Sequence, residues 1–398
     1  MTFAALFAPM IHLPLPLLSV AAIAGVLVDR WLGEPKRAHP LVGFGKWAMW
    51  LERYLNDRTR YRARWLGVLA WALAVLPLVG LTLLLLAMVP LWLQLILHVA
   101  LLWFALGSQS LESHIAPVGA ALALGDIAEA RRLAARVVSR DLSDADETAI
   151  AKAAVESALE NGNDAIFGAL FWFLIGGGPA ALAFRLINTL DAMWGYRTPR
   201  FQSFGWAAAR IDDLANWIPA RLTAASYLLL GRSHRSAAAG MSETLRSSRT
   251  SSSTSRQAWR CWRQQAPLWD SPNAGPVMAS GAGSLGVLLG GVARYHGVEE
   301  TRPLLGCGAP PVAADVGRAL RLVRKTLYLW LVVAVVMSVM WAIIASVSVD
   351  QPMQPGAQNG IAQRIAHIQQ HGLQDRMQDR MQDRMQQASQ SGGERRAA

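Results

Sequence analysis

Charge is scarce in this 398-residue chain: charged residues make up 16% of it, against about 25% in a typical soluble domain. Hydrophobic residues account for 53%, and they are concentrated in long runs. A run of about 18 apolar residues is enough for a helix to cross a bilayer. The composition therefore excludes an ordinary soluble domain and predicts an integral membrane protein.

Several chemical signatures are also missing. The two cysteines, Cys261 and Cys307, form no CxxC pair, so free thiols are expected rather than a zinc site or a disulfide scaffold. None of the four lysines has the glycine spacing of a Walker A loop, and neither HExxH nor GxSxG occurs. No basic residue precedes the first apolar run, which argues against a cleaved signal peptide. Any ATP chemistry must therefore use a different kind of nucleotide site.

The net charge of +11 invites a nucleic-acid interpretation, because basic patches attract phosphate. The arginines, however, lie mainly in segments that flank apolar runs, as the positive-inside rule expects of cytoplasmic loops. Residues 29–64, for example, carry nine Lys or Arg against four acids. Membrane topology accounts for the charge, so no nucleic-acid partner is expected.

Five apolar stretches are candidates for membrane segments. They are residues 13–28, 65–107, 165–190, 218–230 and 326–349. The second is long enough for two crossings, which we expect to be hinged near Pro90. The third contains Gly176-Gly177-Gly178-Pro179, a poor sequence for one straight helix. We therefore expect this segment to be broken or re-entrant, with its backbone covered by other parts of the protein.

The expected fold is an all-α, multi-pass helical bundle with about four to six membrane segments. Residues 1–350 are predicted to form the membrane domain, with cytoplasmic loops at 29–64, 108–164 and 232–275. Within the last loop, the SSRTSSSTS tract at 247–255 has no apolar periodicity and is expected to be flexible. Residues 351–398 repeat QDRM three times and are predicted to be a low-complexity, disordered tail.

The stretch ARIDDLANWIPAR places Asp212, Asp213 and Asn216 in apolar surroundings. Asp212 and Asn216 are four residues apart, so a helix would present them on one face. Carboxylate and amide oxygens suit Mg²⁺, which often bridges to substrate phosphates. Asp213 could equally cap the helix that enters the membrane. The local sequence leaves both interpretations open.

A second acidic cluster, ESALENGND, contains Glu156 and Glu160, again four residues apart, followed by Asn161 and Asp164. The cluster directly precedes a membrane segment, which suits the wall of a metal or phosphate site. A solvated helix face is the other interpretation. The sequence alone does not favour either of these two interpretations.

Between the two clusters runs NTLDAMWGYRTPRFQSFGW, with Asn188, Asp191, Tyr196 and Arg197 at the end of an apolar segment. Arginine suits bidentate binding of phosphate or carboxylate. The arginines here could instead anchor the chain at the membrane interface, with nearby tryptophans in an aromatic belt.

Two glycine-containing motifs follow. GAGSLG, at 281–286, matches a dinucleotide fingerprint by letter, but no strand-like run precedes it. Close packing of small residues in a membrane helix is the better explanation. SPNAG, at 271–275, predicts a tight turn that contains Asn273 and could present backbone N–H groups to an anion.

Four blocks, in order along the chain, resemble the cobalamin biosynthesis proteins called CobD or CbiB. They are LGEPKRAHPLVGFG, ESALENGNDAIFGALFW, INTLDAMWGYRTPRFQSFGWAAARIDDLANWIPARLTA and SPNAGPVMASGAGSLGVLLGG. The resemblance covers residues 20–345 or so, and it implies a multi-pass adenosylcobinamide-phosphate synthase in the bacterial inner membrane. Such a carbon–nitrogen ligase joins (R)-1-amino-2-propanol, or its O-phosphate, to a propionate carboxylate of adenosylcobyric acid. ATP with Mg²⁺ would drive the amide bond.

The resemblance also implies partners and site residues. The partners would be adenosylcobyric acid, aminopropanol phosphate, ATP, membrane lipid and other corrinoid-pathway enzymes. The catalytic candidates are Glu156, Glu160, Asp191 and Asp212. The substrate- and phosphate-binding candidates are Asn161, Asn188, Tyr196, Arg197, Arg221 and Asn273. The metal-ligand candidates are Asp164, Asp212, Asp213 and Asn216.

Two other functions compete with this one. A membrane prenyltransferase would bind Mg-diphosphate at aspartate-rich motifs, although here the fifth position of DDLAN is Asn216 and the other cluster is built on glutamates. A small-molecule transporter would use broken helices, but the two halves show no internal repeat. Because ATP is cytoplasmic, the synthase interpretation requires both acidic clusters to face the cytoplasm.

Overall fold

The computed structural model describes residues 13–35, 39–56, 60–138, 140–231, 250–295 and 298–349. The described residues up to Val339 belong to one unit. A second unit starts at Met340, and its described part, residues 340–349, is helical. The predicted tail at 351–398 lies outside the described residues.

Most of the described chain is helical. The helices are α1 (Leu15–Leu32), α2 (Pro40–Leu55), α3 (Arg60–Met88), α4 (Leu91–Ala105), α5 (Ser108–Ala123), α6 (Ile127–Ala134), α7 (Glu147–Gly162), α8 (Gly168–Trp194), α9 (Trp206–Leu230), α10 (Thr250–Gln265), α11 (Ala274–Leu285) and α12 (Ala313–Val349). A π-helical turn, Asn163–Phe167, joins α7 to α8, and a 3₁₀ turn, Ala266–Leu268, follows α10. The Asp146 carboxylate caps α7 by accepting from the Ala149 N–H at 2.7 Å.

Five helical stretches of the described chain are long and apolar enough to cross a membrane. They are Leu15–Leu32, Arg62–Met88, Leu91–Ala123, Glu147–Trp194 and Ala313–Ser346. The expectation of an all-α, multi-pass membrane protein is thereby confirmed. The predicted segment at 218–230 is not among the five, because α9 also carries the charged residues Arg210, Asp212, Asp213 and Arg221.

The predicted interruptions of the apolar helices occur at Pro90 and at the Gly176–Pro179 stretch. The chain leaves helical geometry between α3 and α4, directly before Pro90. Helix α8 is broken at Gly176 and Gly177, and Gly177 has φ +65° and ψ −157°. The Gly178 N–H, freed by the break, donates to Nδ1 of the buried His98 at 2.8 Å. The predicted break in this segment is therefore confirmed. His98 of α4 accepts a hydrogen bond from the α8 backbone at the break, as is required of non-helical backbone at membrane depth.

The structure also contains a small antiparallel sheet that was not predicted from the sequence. Strands β1 (Leu288–Tyr295) and β2 (Val298–Gly306) pair from Leu288 with Gly306 to Tyr295 with Val298. A bulge lies between Leu289 and Gly291, where Gly290 and Gly291 both have positive φ. The two strands lack the regular alternation of apolar and polar residues that predicts a strand.

A second correction concerns the serine-rich tract at 247–255, which was expected to be a loop. Residues 250–255 belong to α10, whereas 232–249 lie outside the described residues.

The predicted close packing of small residues in GAGSLG is confirmed. Every residue of α11 is buried, and Gly281 and Gly283 face Leu159 of α7 and Ala258 of α10. Helices α7, α8, α9 and α11 contribute buried residues to one hydrophobic core cluster, which fixes the positions of these four helices relative to one another.

Candidate active site

The π-helical turn at Asn163–Phe167 carries the end of the ESALENGND cluster into the protein interior. Glu156 and Asn163 are each 2% exposed, so the solvated-face interpretation of this cluster is wrong. π-Helical turns frequently occur at functional sites, because an extra residue in the turn redirects the side chains that follow. Here Asn163 and Asp164 both reach the wall of a cavity.

Asn163 is the centre of a hydrogen-bond chain that joins this turn to α9. Its side-chain amide donates to Oδ1 of Asn216 at 2.9 Å and to Oδ1 of Asp164 at 3.0 Å. Its own Oδ1 accepts from the Thr223 hydroxyl at 3.0 Å. Asn216 in turn donates to the two carboxylate oxygens of Asp212 at 3.2 and 3.1 Å, so these two residues share one helix face as predicted. Asn163 therefore holds the Oδ1 end of the buried Asn216 amide, while the Nδ2 end orients Asp212.

These residues border a cavity of 390 Å³ that we call the acidic chamber. Its polar wall consists of Glu160, Asn163, Asp164, Asn188, Asp191, Arg197, Asp212, Asp213, Asn216, Asp270, Ser271 and Asn273. Asn188 also donates to Oδ1 of Asp212, at 3.4 Å. The folded chain thus brings together residues from the acidic clusters, the intervening NTLD segment and the SPNAG turn.

The electrostatics of the acidic chamber favour a cation. Burial raises the pKa of Asp212, and the neighbouring charges of Asp164 and Asp191 raise it further. Burial also raises the pKa of Asp213, against the opposing effect of Arg210 and Arg197. Crowded carboxylates in a desolvated site are stabilised in their charged form by a positive partner.

No group of three or more His, Cys, Asp or Glu side chains in the described part of the chain is arranged to hold a metal ion by itself. The donor chemistry still suits Mg²⁺, which commonly takes one or two protein carboxylates and completes its shell with water and substrate phosphates. Asp212, with Asp164 or Asp191 beside it, offers that number of hard oxygen ligands. The residues therefore fit a Mg²⁺ ion that is also bound by water and phosphate oxygens.

The capping role considered for Asp213 is wrong. Helix α9 begins at Trp206, so Asp213 lies two turns inside it, on the chamber wall, and Gly205 occupies the cap position. Its carbonyl accepts from the Asn273 amide at 2.8 Å, while its carboxylate lies 3.7 Å from the Arg210 guanidinium. Asn273 therefore ties the predicted turn at 271–275 to α9.

Arg221 supports this turn from behind. Its guanidinium donates to Oδ1 of Asn273 at 3.1 Å and to the Pro272 carbonyl at 3.2 Å, and it stacks over the Trp217 ring at 4.3 Å. Arg221 does not line the acidic chamber or the larger cavity that adjoins it. Arg221 thus contacts the turn that carries Asn273, and its predicted role in binding substrate or phosphate stays a prediction.

A second cavity, of 700 Å³, adjoins the first, and we call it the arginine chamber. Glu160 and Asp270 belong to the walls of both. Its other polar wall residues are Arg140, Glu156, Ser157, Asn161, Tyr196, Glu300, Thr301 and Arg302. Glu156 and Glu160 thus share a face, as their spacing predicted, and Asn161 and Tyr196 lie here rather than in the acidic chamber.

Several residues of these walls are not among the candidates predicted from the sequence, including Asn163, Arg140, Trp269, Asp270 and Arg302. Asn163 differs from its neighbour Asn161 only in burial, which the sequence does not show. Arg140 and Arg302 meet at Glu156 although they are far apart along the chain. No local pattern reports such a long-range contact.

The fold and the site together define a multi-pass membrane protein with two adjoining polar chambers among its helices, one of them lined by carboxylates. The family described as CobD/Cbib protein matches residues 22–323, and the chain belongs to this family. A protein of Stutzerimonas stutzeri called "Cobalamin biosynthesis protein CobD" is 52% identical over 315 residues, which cover 79% of this chain and 96% of that protein. One of the same name from Chromobacterium violaceum is 50% identical over 310 residues, covering 77% and 92%. No solved structure matches the chain.

Proposed function

We propose that this protein is an ATP-dependent carbon–nitrogen ligase of cobalamin biosynthesis in the bacterial inner membrane. It would attach (R)-1-amino-2-propanol, or its O-phosphate, to the propionate carboxylate of adenosylcobyric acid. Membership of the CobD/Cbib family and the names of its relatives support the pathway. The observation that carries the chemistry is the acidic chamber, in which Asp212 is held by Asn188 and Asn216 beside Asp164 and Asp191.

A carboxylate is a poor electrophile and must be activated before an amine can attack it. One of its oxygens takes the terminal phosphoryl group of ATP, which breaks the bond between that group and ADP. The amine lone pair then attacks the acyl carbon, the bond from carbon to the phosphate-bearing oxygen breaks, and inorganic phosphate leaves. Phosphoryl transfer depends on positioning and charge neutralisation, so no protein nucleophile is needed.

The acidic chamber would bind the nucleotide. Asp212, with Asp164 or Asp191, would hold Mg²⁺, which when bound neutralises charge on the phosphates. Arg197 is 83% exposed on the same wall, where it can swing onto the phosphate oxygens. Glu160, common to the two chambers, would accept a proton from the attacking ammonium. Asn188 and Asn216 keep the Asp212 carboxylate oriented.

The test is amide formation by membranes that contain the protein, supplied with adenosylcobyric acid, aminopropanol phosphate and Mg-ATP. Asp212→Asn should lower the rate about 100- to 1000-fold, since it removes a charged ligand of the Mg²⁺ that would neutralise the phosphates. Asp144→Asn is the matched control, because Asp144 is an exposed carboxylate paired with Arg294 outside both chambers. Membrane insertion of each variant is checked by immunoblotting.

Failure of the wild-type protein to form the amide would refute the proposed reaction. Full activity of Asp212→Asn at normal membrane levels would remove the acidic chamber from the chemistry. The rival prenyltransferase has only the acidic residues in its favour, and the rival transporter has in addition only the break in α8.

A further inference from the structure

The arginine chamber carries chemistry that ATP binding does not explain. Glu156 accepts from Nη1 and Nη2 of Arg302 at 3.1 and 3.3 Å, and also pairs with Arg140. The Gly290 N–H donates to Oε1 of Glu156 at 2.8 Å, and the Arg302 guanidinium lies 5.3 Å from the centre of the Trp269 ring. All three ionic side chains are nearly buried, with exposures of 10%, 14% and 3% for Arg140, Arg302 and Glu156. Two guanidiniums are thus held rigidly on a cavity wall around one carboxylate.

This trio carries a net positive charge where it faces the cavity. Arginine is suited to phosphate because its planar fork makes paired, charge-assisted hydrogen bonds. Glu156 is already bonded to both guanidiniums and to the backbone, so its role is to position them. The other acids of the wall are Glu160 and the solvent-exposed Asp270 and Glu300.

Glu160 lies one helical turn from Glu156, and the Cβ atoms of residues four apart on a helix are separated by roughly 5–6 Å. A ligand with a phosphate at one end and an ammonium at the other could therefore contact the arginines and Glu160 together. The O-phosphate of 1-amino-2-propanol separates its phosphorus from its nitrogen by only four bonds, which matches this short spacing. Because Glu160 also belongs to the acidic chamber, such a ligand would place its nitrogen where the two chambers meet.

We propose that the arginine chamber is the binding site for the amine donor as a phosphomonoester, with its phosphate on Arg140 and Arg302 and its amine at Glu160. This assignment rests on the proposed function and extends it by naming which substrate group each chamber holds. The acidic chamber takes the nucleotide, and the acyl group is attacked at the junction. It follows that the arginines determine preference for the phosphorylated donor over the free amino alcohol.

The test compares kcat/KM for aminopropanol phosphate with kcat/KM for aminopropanol in the membrane-embedded protein. Arg302→Met keeps the length of the side chain and removes its charge, so the ratio of the two values should fall about 10- to 100-fold. Arg302→Lys keeps a point charge without the fork and should lose only part of the preference. Arg294→Met on the neighbouring strand is the matched control, because Arg294 pairs with Asp144 outside the chamber and its loss should leave the ratio unchanged.

Equal losses with both donors in Arg302→Met, or a change confined to the KM of adenosylcobyric acid, would overturn the assignment. If Arg302→Met does not reach the membrane, the ratio for Arg302→Lys decides the question in the same way. Binding of radiolabelled aminopropanol phosphate, measured without ATP or corrinoid, separates this proposal from the previous one. Binding by the wild type that Arg302→Lys weakens would support the chamber even if no amide forms, whereas equal binding by both would refute it.

Discussion

Replacing Asn163 with alanine tests how the site is held together. Its side chain satisfies two buried partners, the Oδ1 of Asn216 and the hydroxyl of Thr223, and also donates to Asp164. Thr223 is 0% exposed and Asn216 is 1% exposed, so water does not readily replace the lost bonds. The substitution therefore leaves two buried polar groups without their partner.

Each orphaned polar group costs about 1–3 kcal/mol, so the free energy of unfolding should fall by roughly 2–6 kcal/mol. For a domain of about 300 residues, this loss of stability lowers the midpoint of thermal unfolding by roughly 3–10 °C. Activity should fall further than stability alone explains, because an unrestrained Asn216 no longer orients Asp212.

The assay is thermal inactivation of the detergent-solubilised protein, with amide formation measured at a temperature where the variant is folded. Asn161→Ala is the matched control for stability, because Asn161 is only partly buried and donates to Ser157 alone, at 2.8 Å. Its midpoint should move by no more than about 2 °C. The same midpoint for Asn163→Ala and wild type would refute the hydrogen-bond chain, as would equal shifts in both alanine variants.

Three further predictions concern the rest of the chain. Gly177→Ala should cost about 1–3 kcal/mol, because Gly177 has φ +65° and an added Cβ would meet the His98 ring, whereas Gly43→Ala in open space should not lower the melting midpoint. A cysteine in place of Arg200 should resist impermeant thiol reagents in intact cells and react after permeabilisation; efficient labelling from the periplasm would contradict a cytoplasmic site. A chain ending at residue 349 should keep the wild-type rate of amide formation, and loss of activity in correctly inserted protein would show that the QDRM tail contributes.

Much of the fold could be predicted because the local composition of the sequence determines where membrane helices form. Long apolar runs, Pro90 and the Gly176–Pro179 break each act within a few residues, and the structure follows them. The spacing of Asp212 and Asn216 likewise predicts a shared face, which their hydrogen bonds confirm. The missed hairpin depends instead on the pairing of Leu288 with Gly306, a contact that no local period encodes.

The candidate site could be predicted only in part for the same reason. Residue types and spacing pointed to the acids, but not to which chamber each would enter. Asp213 was considered as a cap because the start of α9 at Trp206 was not evident from the sequence. The positions of Arg140 and Arg302 follow from the packing of β2 and the segment before α7 onto Glu156.

Transfer of a carboxylate oxygen to phosphate shows directly whether ligation proceeds through an activated carboxylate. Adenosylcobyric acid labelled with ¹⁸O in its free propionate carboxylate is incubated with membranes, aminopropanol phosphate and Mg-ATP, and the released inorganic phosphate is analysed by mass spectrometry. We expect one labelled oxygen in phosphate for each amide formed, and with Asp212→Asn we expect the amide and the phosphate to fall together, about 100- to 1000-fold. Amide formation with no label in the phosphate would contradict ligation through an activated carboxylate.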